Sequence, residues 1–274
     1  MRGPILVLGA SGFVGANLFK MLLRERSDVY GTAFALPAWR LDGVPKKNVL
    51  SVDLLVPKSV DTLVRELEPA TVIDMVAFGA YSFERDVARI YETNVSFKVR
   101  LIELLRETKV HCYVHAGSSS EYGNRADGPT EDTALLANSH YSVTKSTTSG
   151  LIYYTGKSLG FRCANLRLYS VYGPLEERSR LIPSLVVEGV KGGYPPLVDP
   201  DVSRDFIYID DACEAFVDTA LALTPECYGE SFNIGTGKST SIGELADISR
   251  HLFKLDRPPQ FSTMAKREWD TTNR

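Results

Sequence analysis

Apolar and amphipathic segments alternate along most of this sequence, which predicts an α/β fold with a doubly wound parallel sheet and a smaller C-terminal lobe. A second observation supports the sheet, because a glycine-rich turn joins the first expected strand to the first helix. A third observation predicts the lobe. Beyond Pro174, prolines and paired glycines become frequent, which is typical of short elements joined by loops.

Each element follows from its own apolar pattern. Short, mainly apolar runs predict buried parallel strands, and apolar residues at helical spacing predict the helices between them. The expected strands are 5–8, 29–34, 49–54, 71–78, 111–116 and 162–168. The expected helices are 14–24, 60–67, 87–106 and 141–159, with Pro69 just after the second. In the C-terminal lobe, the expected elements are 206–209, 212–223, 231–234 and 242–253.

The composition argues against several classes of partner. The net charge is -3 and the isoelectric point is about 5.9, so we expect no nucleic-acid partner. No apolar run is long enough to span a membrane and no leader follows Met1, so we expect a cytoplasmic protein without a membrane partner. Four cysteines and four histidines are scattered along the chain, which predicts reduced thiols and no metal site.

The glycine-rich turn reads Gly9-Ala-Ser-Gly12-Phe-Val-Gly15. Glycine is needed where the backbone turns tightly, where a pyrophosphate approaches it, and where a helix packs closely on a strand. The N–H groups at the helix start then hold the phosphates. The turn therefore predicts a Rossmann-type dinucleotide site, with Asp53 and Leu54 flanking the adenine. Its expected phosphate-loop residues are Gly9, Ser11, Gly12, Phe13, Val14 and Gly15.

The end of the second strand bears on the choice between NAD and NADP. An acid there would bind the 2′-hydroxyl of the adenosine ribose. This strand instead ends Thr32-Ala33-Phe34-Ala35, without an acid. Arg40 follows and is a candidate for a 2′-phosphate, although a solvated surface arginine is an equally good interpretation. The cofactor is therefore expected to be NAD or NADP, and the missing acid favours NADP.

Tyr141 and Lys145 lie four residues apart in an expected helix, so their side chains share one face. A free phenol titrates near pH ~10 and is a poor proton carrier at neutral pH. A neighbouring ammonium group favours the phenolate, which is expected to bring the phenol pKa towards the working range. Taken alone, the pair is equally consistent with a solvated lysine on an amphipathic helix.

Motifs spread along the chain resemble those of the extended short-chain dehydrogenase/reductases, and within them the nucleotide-sugar epimerases, dehydratases and ketoreductases. The resemblance covers nearly the whole chain. It rests on the glycine loop, Asp53-Leu54, Ala77, Asn94, Gly117-Ser-Ser-Ser-Glu-Tyr-Gly123, Tyr141 to Lys145, Leu166-Arg-Leu-Tyr-Ser-Val-Tyr-Gly-Pro174, Arg204-Asp-Phe-Ile-Tyr-Ile-Asp-Asp211 and Phe232-Asn-Ile-Gly-Thr-Gly237. These occur in the order that the family shows.

The resemblance implies the catalytic roles. Tyr141 is the general acid–base at a sugar hydroxyl or carbonyl, Lys145 tunes its pKa and binds the nicotinamide ribose, and Ser118 steadies the reacting oxygen. Ser119 is the alternative to Ser118 if the register differs by one residue, and it is otherwise a substrate contact. Hydride transfer needs such a proton carrier at the oxygen of the reacting carbon.

The resemblance also implies binding roles and an organisation into domains. The further cofactor residues are Ala77, Asn94 and Tyr169, and the substrate residues are Ser170, where many relatives have asparagine, with Arg204, Arg267 and Asp270. Both arginines are expected on the diphosphate of a nucleotide sugar, and Asp270 on its ribose. Residues 1–170, joined by parts of 204–235, are the expected dinucleotide-binding domain. Residues 171–274 are mainly the expected substrate lobe. A homodimer is expected, formed by the helices 87–106 and 141–159.

The residues after Ser118 separate the possible reactions. Family dehydratases carry an Asp-Glu pair there, whereas this chain has Ser119 and Ser120, and Glu121 comes one position too late. Dehydration is therefore disfavoured. A C4 epimerase is the main prediction, and an NADPH-dependent reductase of 4-keto nucleotide sugars is the alternative. A non-catalytic dinucleotide sensor is disfavoured, because Tyr141 and Lys145 are both present.

Overall fold

A computed structural model describes residues 1–81 and 83–263 of the chain. Its larger sheet has seven parallel strands in the order β3-β2-β1-β4-β5-β6-β9, and a smaller sheet has the order β10-β8-β7. The strands are β1 Ile5–Leu8, β2 Val29–Ala33, β3 Val49–Ser51, β4 Thr71–Asp74, β5 Cys112–Ser118, β6 Cys163–Leu168, β7 Ser170–Tyr172, β8 Ser203–Tyr208, β9 Ser231–Ile234 and β10 Ser239–Ser241.

Helices cover both faces of the large sheet. They are α1 Phe13–Glu25, α2 Pro57–Leu67, α3 Val87–Tyr91, α4 Phe97–Glu107, α5 His140–Leu159, α6 Leu181–Val190, α7 Ile209–Ala222 and α8 Ile242–Phe253. A π-helical turn, Glu92–Ser96, joins α3 to α4. The predicted doubly wound α/β fold is confirmed. Among the described residues, no helix is both long and apolar enough to cross a membrane.

The core lies in two layers because successive strand residues point to opposite faces of the sheet. Ile5 and Val7 of β1 face the layer of α1 and α7, which contains Phe19 and Phe216. Leu6 and Leu8 face the layer of α2, α4 and α5. All carboxyl ends of the large sheet's strands lie at one edge, and ligands bind at that edge in folds of this type.

The expected strands 49–54 and 71–78 are several residues shorter in the structure, and the expected helix 87–106 is interrupted by the π-helical turn. The elements β7, β10 and α6 were also not expected. β3 ends at Ser51 and β4 at Asp74, because the chain leaves the sheet there to form loops. The elements β7 and β10 have only three residues each, too few for a periodic pattern. Helix α6 carries Pro183 in its first turn, where the missing N–H has no intrahelical partner to lose.

The smaller lobe packs α6 and α8 around its own cluster of buried residues, which are Leu185, Leu197, Val202, Ile242 and Ala246. The chain then returns to the large sheet, because β9 pairs with β6 in parallel, Leu166 opposite Phe232. The large sheet is therefore completed by residues that follow most of the smaller lobe in sequence.

Candidate active site

The glycine loop turns from β1 into α1 with little room to spare. Gly9 has φ +75, and its N–H donates to Thr32 Oγ1 at 3.0 Å. A Cβ on Gly15 would lie 2.3 Å from the Gly9 carbonyl oxygen, so any larger residue would force the loop and helix apart. Gly12 caps the helix without a side-chain hydrogen bond, which leaves the first N–H groups to face a ligand. The loop thus fits a dinucleotide phosphate, with Ser11, Phe13 and Val14 around it.

The end of β2 presents Phe34, 65% exposed, rather than an acid. Arg40 is mostly buried, and its guanidinium is already engaged. It donates from Nε to the Leu175 carbonyl at 2.8 Å and lies 3.4 Å from the Glu177 carboxylate. It also covers the ring of Trp39 at 4.4 Å from the ring centre. A 2′-phosphate would therefore share Arg40 with Glu177.

Asn94 holds the backbone of the loop that follows β4. The Asn94 amide accepts from Phe78 N at 2.9 Å and donates to Phe78 O at 2.7 Å, and it also donates to Thr144 Oγ1 at 3.0 Å. Asn94 lies within the π-helical turn, which projects its side chain towards this loop. Ala77 is exposed beside it. Asp53 is partly buried and accepts from Leu55 N. Asn94 thus fixes the backbone of the loop that follows β4.

The expected catalytic residues come together at the carboxyl edge of the sheet. Ser118 ends β5, and its side chain lies beside the phenol of Tyr141, which is in the first turn of α5. The Lys145 Nζ lies 5.8 Å from the centre of the Tyr141 ring and donates to the Ala116 carbonyl at 2.8 Å. Ser139 caps α5 and accepts from Ser142 N, which fixes the start of the helix.

Burial moves the pKa values of Tyr141 and Lys145 in opposite directions. Loss of water contact raises the pKa of Tyr141 above its ordinary value, and the hydrogen bond from Ser118 opposes that rise. Burial lowers the pKa of Lys145 to about 8, with the Lys98 charge acting in the same sense. At neutral pH the free protein therefore holds a neutral phenol and a charged ammonium. The Tyr141 pKa was expected to fall towards neutrality, and that expectation was wrong for the free protein because desolvation dominates.

Comparison with known proteins places this geometry in a family. The family model for the NAD dependent epimerase/dehydratase family matches residues 5–235. The chain belongs to this family. It is 30% identical over 264 residues to an uncharacterized UDP-glucose epimerase, YtcB, of Bacillus subtilis, covering 89% of this chain and 80% of the relative. The resemblance to extended short-chain dehydrogenase/reductases of the nucleotide-sugar group is confirmed.

Solved structures agree with this assignment. The chain superimposes on MoeE5, solved with UDP-glucose and NAD, with a TM-score of 0.79 and 26% identity, over 95% of this chain and 84% of MoeE5. The UDP-glucose 4-epimerase of Thermotoga maritima matches with a TM-score of 0.85 over 98% of this chain and 88% of that one, but at 20% identity it supports the fold alone. The chain is an enzyme of the NAD(P)-dependent nucleotide-sugar epimerase and oxidoreductase type.

At positions 119 and 120, where family dehydratases carry an Asp-Glu pair, this chain has no acid. Ser119 and Ser120 form a short helical turn with Glu121, and the Ser120 hydroxyl donates to Ser118 Oγ at 2.8 Å. The Glu121 carboxylate is fully buried and points into the protein, where Arg167 Nε donates to it at 2.8 Å. Glu121 is therefore held inside the protein by Arg167 and is unavailable as a proton donor to a sugar.

The expected substrate residues are only partly described by the structure. Ser170 begins β7 directly after Tyr169, and Arg204 lies on the neighbouring strand β8; all three are partly buried. Arg267 and Asp270 lie outside the described residues. Sequence reasoning missed Arg180, whose guanidinium lies 5.7 Å from the centre of the Tyr81 ring and close enough to act on the Tyr141 phenol. No motif marks Arg180 in the sequence.

A buried charged cluster behind Lys145 was also missed. Lys98 donates to both Asp74 oxygens, at 2.8 and 2.7 Å, and to the Val76 carbonyl at 2.8 Å. The His115 Nδ1 lies 3.2 Å from Asp74, and burial lowers the His115 pKa to about 3, so this imidazole is neutral. The sequence does indicate a buried charge pair here, because Asp74 interrupts an apolar strand and Lys98 lies on the apolar face of a helix.

Proposed function

We propose that this enzyme is a nucleotide-sugar epimerase that inverts C4 of its sugar through a transient keto-sugar. The observation that carries the proposal is the position of Ser118 beside the Tyr141 phenol, with Lys145 one helical turn away, at the same sheet edge as the glycine loop. Serines at positions 119 and 120 leave no acid to eliminate water from the sugar. These residues support proton transfer at one sugar oxygen but not the elimination of water.

In the proposed reaction, Tyr141 first gives up to solvent the phenol proton that it carries in the free protein. Its phenolate oxygen then accepts the proton of the C4 hydroxyl and later returns a proton to the same sugar oxygen. A bound nicotinamide cofactor supplies the hydride acceptor and then the hydride donor. Ser118 donates a hydrogen bond that favours the phenolate. The Lys145 ammonium compensates the charge that develops on the phenol. The sugar exposes its other face between the two half-reactions.

The proposed substrate is a nucleoside diphosphate sugar. Arg204 on β8 and Arg267 are the proposed diphosphate ligands, since a guanidinium group binds phosphate oxygens in pairs. Asp270 is proposed for the nucleoside ribose, and Ser119 and Ser170 for the sugar side. The UDP-glucose bound to MoeE5 supports this substrate class. We place the enzyme in the cytoplasm, where its four free cysteines stay reduced.

The proposed cofactor is NAD or NADP, held by the glycine loop, Asp53, Leu54, Ala77, Tyr141, Lys145 and Tyr169. The missing acid after β2 supports NADP, because a 2′-phosphate meets no carboxylate there. The contact between Arg40 and Glu177 works against NADP, since this arginine is already paired. The NAD bound to MoeE5 also supports NAD.

A reductase of nucleotide 4-keto sugars is the second candidate, because it would use the same Ser118, Tyr141 and Lys145 and would fit the missing acid after β2. The two reactions differ in where the hydride goes. An epimerase returns it to the same sugar and keeps its cofactor, whereas a reductase releases the reduced sugar and exchanges its cofactor.

One experiment separates the two candidates. The purified protein is denatured and the released dinucleotide is identified, and untreated protein is assayed for interconversion of UDP-glucose and its C4 epimer without added cofactor. An epimerase releases about one dinucleotide per chain and interconverts the two sugars. A protein that carries no dinucleotide, and that oxidises added NADPH only with a nucleotide 4-keto sugar, contradicts the epimerase and supports the reductase.

A further inference from the structure

Glu121 is the one acid in the Ser118–Tyr122 segment, and both of its carboxylate oxygens are used inside the protein. Oε1 accepts from the backbone N–H of Ser118 at 2.9 Å, and Oε2 accepts from Arg167 Nε at 2.8 Å. The Asn165 amide reaches both oxygens at 3.4 Å. Glu121 is 0% exposed. A single buried carboxylate therefore joins the proposed catalytic serine to strand β6.

The surrounding sequence makes room for this carboxylate. A Cβ on Gly117 would lie 2.7 Å from Glu121 Oε1 and 2.4 Å from Asn165 Oδ1. The absence of a side chain at Gly117 therefore leaves the space that the Glu121 carboxylate occupies. The residue also contacts α5, because Ser146, next to Lys145, donates from its hydroxyl to the Glu121 carbonyl at 3.3 Å. The contacts of Glu121 thus reach both sides of the Tyr141 site.

The charge of Glu121 acts on both titrating groups of the site. It raises the pKa of Tyr141 and opposes the burial that lowers the pKa of Lys145. The other charges that face the phenol are Glu84 and Arg180, and those that face the ammonium are Lys98 and Asp74. Arg167 balances Glu121, so the pair adds little net charge as long as both members are present.

We infer that Glu121 is a positioning residue of the active site. Its carboxylate holds the Ser118 backbone so that the Ser118 hydroxyl meets the Tyr141 phenol, and with Arg167 it keeps a balanced pair of charges beside Tyr141 and Lys145. The kinetic test of this inference rests on the proposed function, whereas the NMR titration of Lys145 does not. Glu121 thus serves to place the proposed catalytic serine.

The test compares Glu121→Gln with Glu121→Gln/Arg167→Met and with Glu103→Gln. Glutamine has one oxygen for two donors, the Ser118 N–H and Arg167 Nε, so it removes the charge and breaks one of the two hydrogen bonds. The double variant removes both charges. Glu103 is a half-exposed glutamate on α4, paired with Arg106, and serves as the control. Lys145 is titrated by 15N NMR of lysine side chains in the protein without substrate, and kcat and KM are measured across pH.

We expect the Lys145 pKa in Glu121→Gln to fall roughly half to one unit below about 8, and to return towards the wild-type value in the double variant. We expect kcat to fall about 10- to 100-fold, with KM within about twofold, because the serine is displaced rather than the substrate lost. An unchanged Lys145 titration and an unchanged kcat in folded Glu121→Gln would overturn the inference. If the single variant does not fold, Glu121→Leu/Arg167→Met decides: its kcat must fall, since no oxygen remains on the side chain at position 121 to accept from the Ser118 N–H.

Failure of the proposed function gives a different result. If the wild-type protein turns over no nucleotide sugar, the epimerase proposal fails, but the Lys145 titration still shows whether Glu121 acts on the site. A Lys145 pKa that moves equally in Glu103→Gln and Glu121→Gln would show a general charge effect and would also overturn the inference.

Discussion

Tyr141 and Lys145 share one turn of α5, yet the same burial stabilises the neutral form of each. The spacing of the two residues was readable from the sequence, and so was their partner Ser118. The protonation states of Tyr141 and Lys145 could not be predicted from the sequence. They depend on how β5 and the loops around Tyr81 and Arg180 bury the first turn of α5. Those surroundings come from parts of the chain more than twenty residues away in either direction.

The Lys145 titration predicts a pH dependence. Its pKa lies below the ordinary value, at about 8, so the ammonium is present below pH 8 and is lost as the pH rises through that value. We expect the ratio of wild-type kcat/KM to that of Lys145→Arg to fall about tenfold per pH unit above about pH 8, because the lysine charge is lost there while arginine stays charged and Tyr141 titrates in both proteins. Profiles of both proteins between pH 6 and 10 measure this ratio. A ratio that stays flat to pH 10 contradicts the prediction.

Removal of the phenol hydroxyl tests its assignment as the proton carrier. In Tyr141→Phe we expect kcat to fall roughly 10²- to 10⁴-fold, which is the usual contribution of a general acid–base. Dinucleotide binding should persist, because the glycine loop is untouched. Tyr154→Phe, which removes a hydroxyl from a half-exposed tyrosine on the same helix, is the matched control. Turnover of nucleotide sugars at the wild-type rate by Tyr141→Phe would refute the assignment.

At the scale of elements, the order and type of the main strands and helices could be predicted, since long periodic segments carry their own signal. β1, β9 and α8 begin and end where the sequence indicated. The π-helical turn at Glu92–Ser96 could not be predicted, because its cause is the contact of Asn94 with a loop that folds against it. Helix α6 was not predicted from the sequence, because it contains Pro183 and a proline within a helix usually ends it.

The turn from β1 into α1 is expected to fail if Gly15 gains a side chain. In Gly15→Ala the new Cβ would approach the Gly9 carbonyl to 2.3 Å, which would push the helix away from the loop. We expect dinucleotide affinity to fall by about tenfold or more, measured by calorimetry. Gly193→Ala is the control, because its Cβ would meet no atom within 4 Å. Equal affinity in the two variants would contradict the assigned role of the loop.

At the scale of the whole molecule, the division at residue 170 into a cofactor domain and a substrate lobe stays a prediction. The expected homodimer also stays a prediction. By resemblance to the family, Leu151, Ile152 and Tyr154 are candidates either for a dimer face or for inward packing. The structure buries Ile152 in the core, leaves Leu151 partly buried, and leaves Tyr153 and Tyr154 55% and 54% exposed. Val99 on α4 and Val143 on α5 are also exposed, and we expect these four side chains to contribute to one apolar surface across the two helices.

We expect the protein to sediment as a dimer through this surface. In Tyr154→Glu, a charge placed among apolar side chains should shift sedimentation towards the mass of one 30.3 kDa chain. Val190→Glu is the control, because Val190 is 74% exposed on α6 in the other lobe and should leave the dimer intact. A wild-type protein that sediments only as a monomer would refute the dimer.

The pairing of β6 with β9 has a consequence for synthesis. The ribosome completes β6 at Leu168 and does not reach Ser231 until roughly sixty residues later. At typical bacterial or eukaryotic rates of 5–20 residues per second, β6 waits about 3 to 12 s with one edge unpaired. An open strand edge is where nascent chains join one another wrongly. The nascent enzyme should therefore depend most on chaperones during the interval in which its small lobe is being translated.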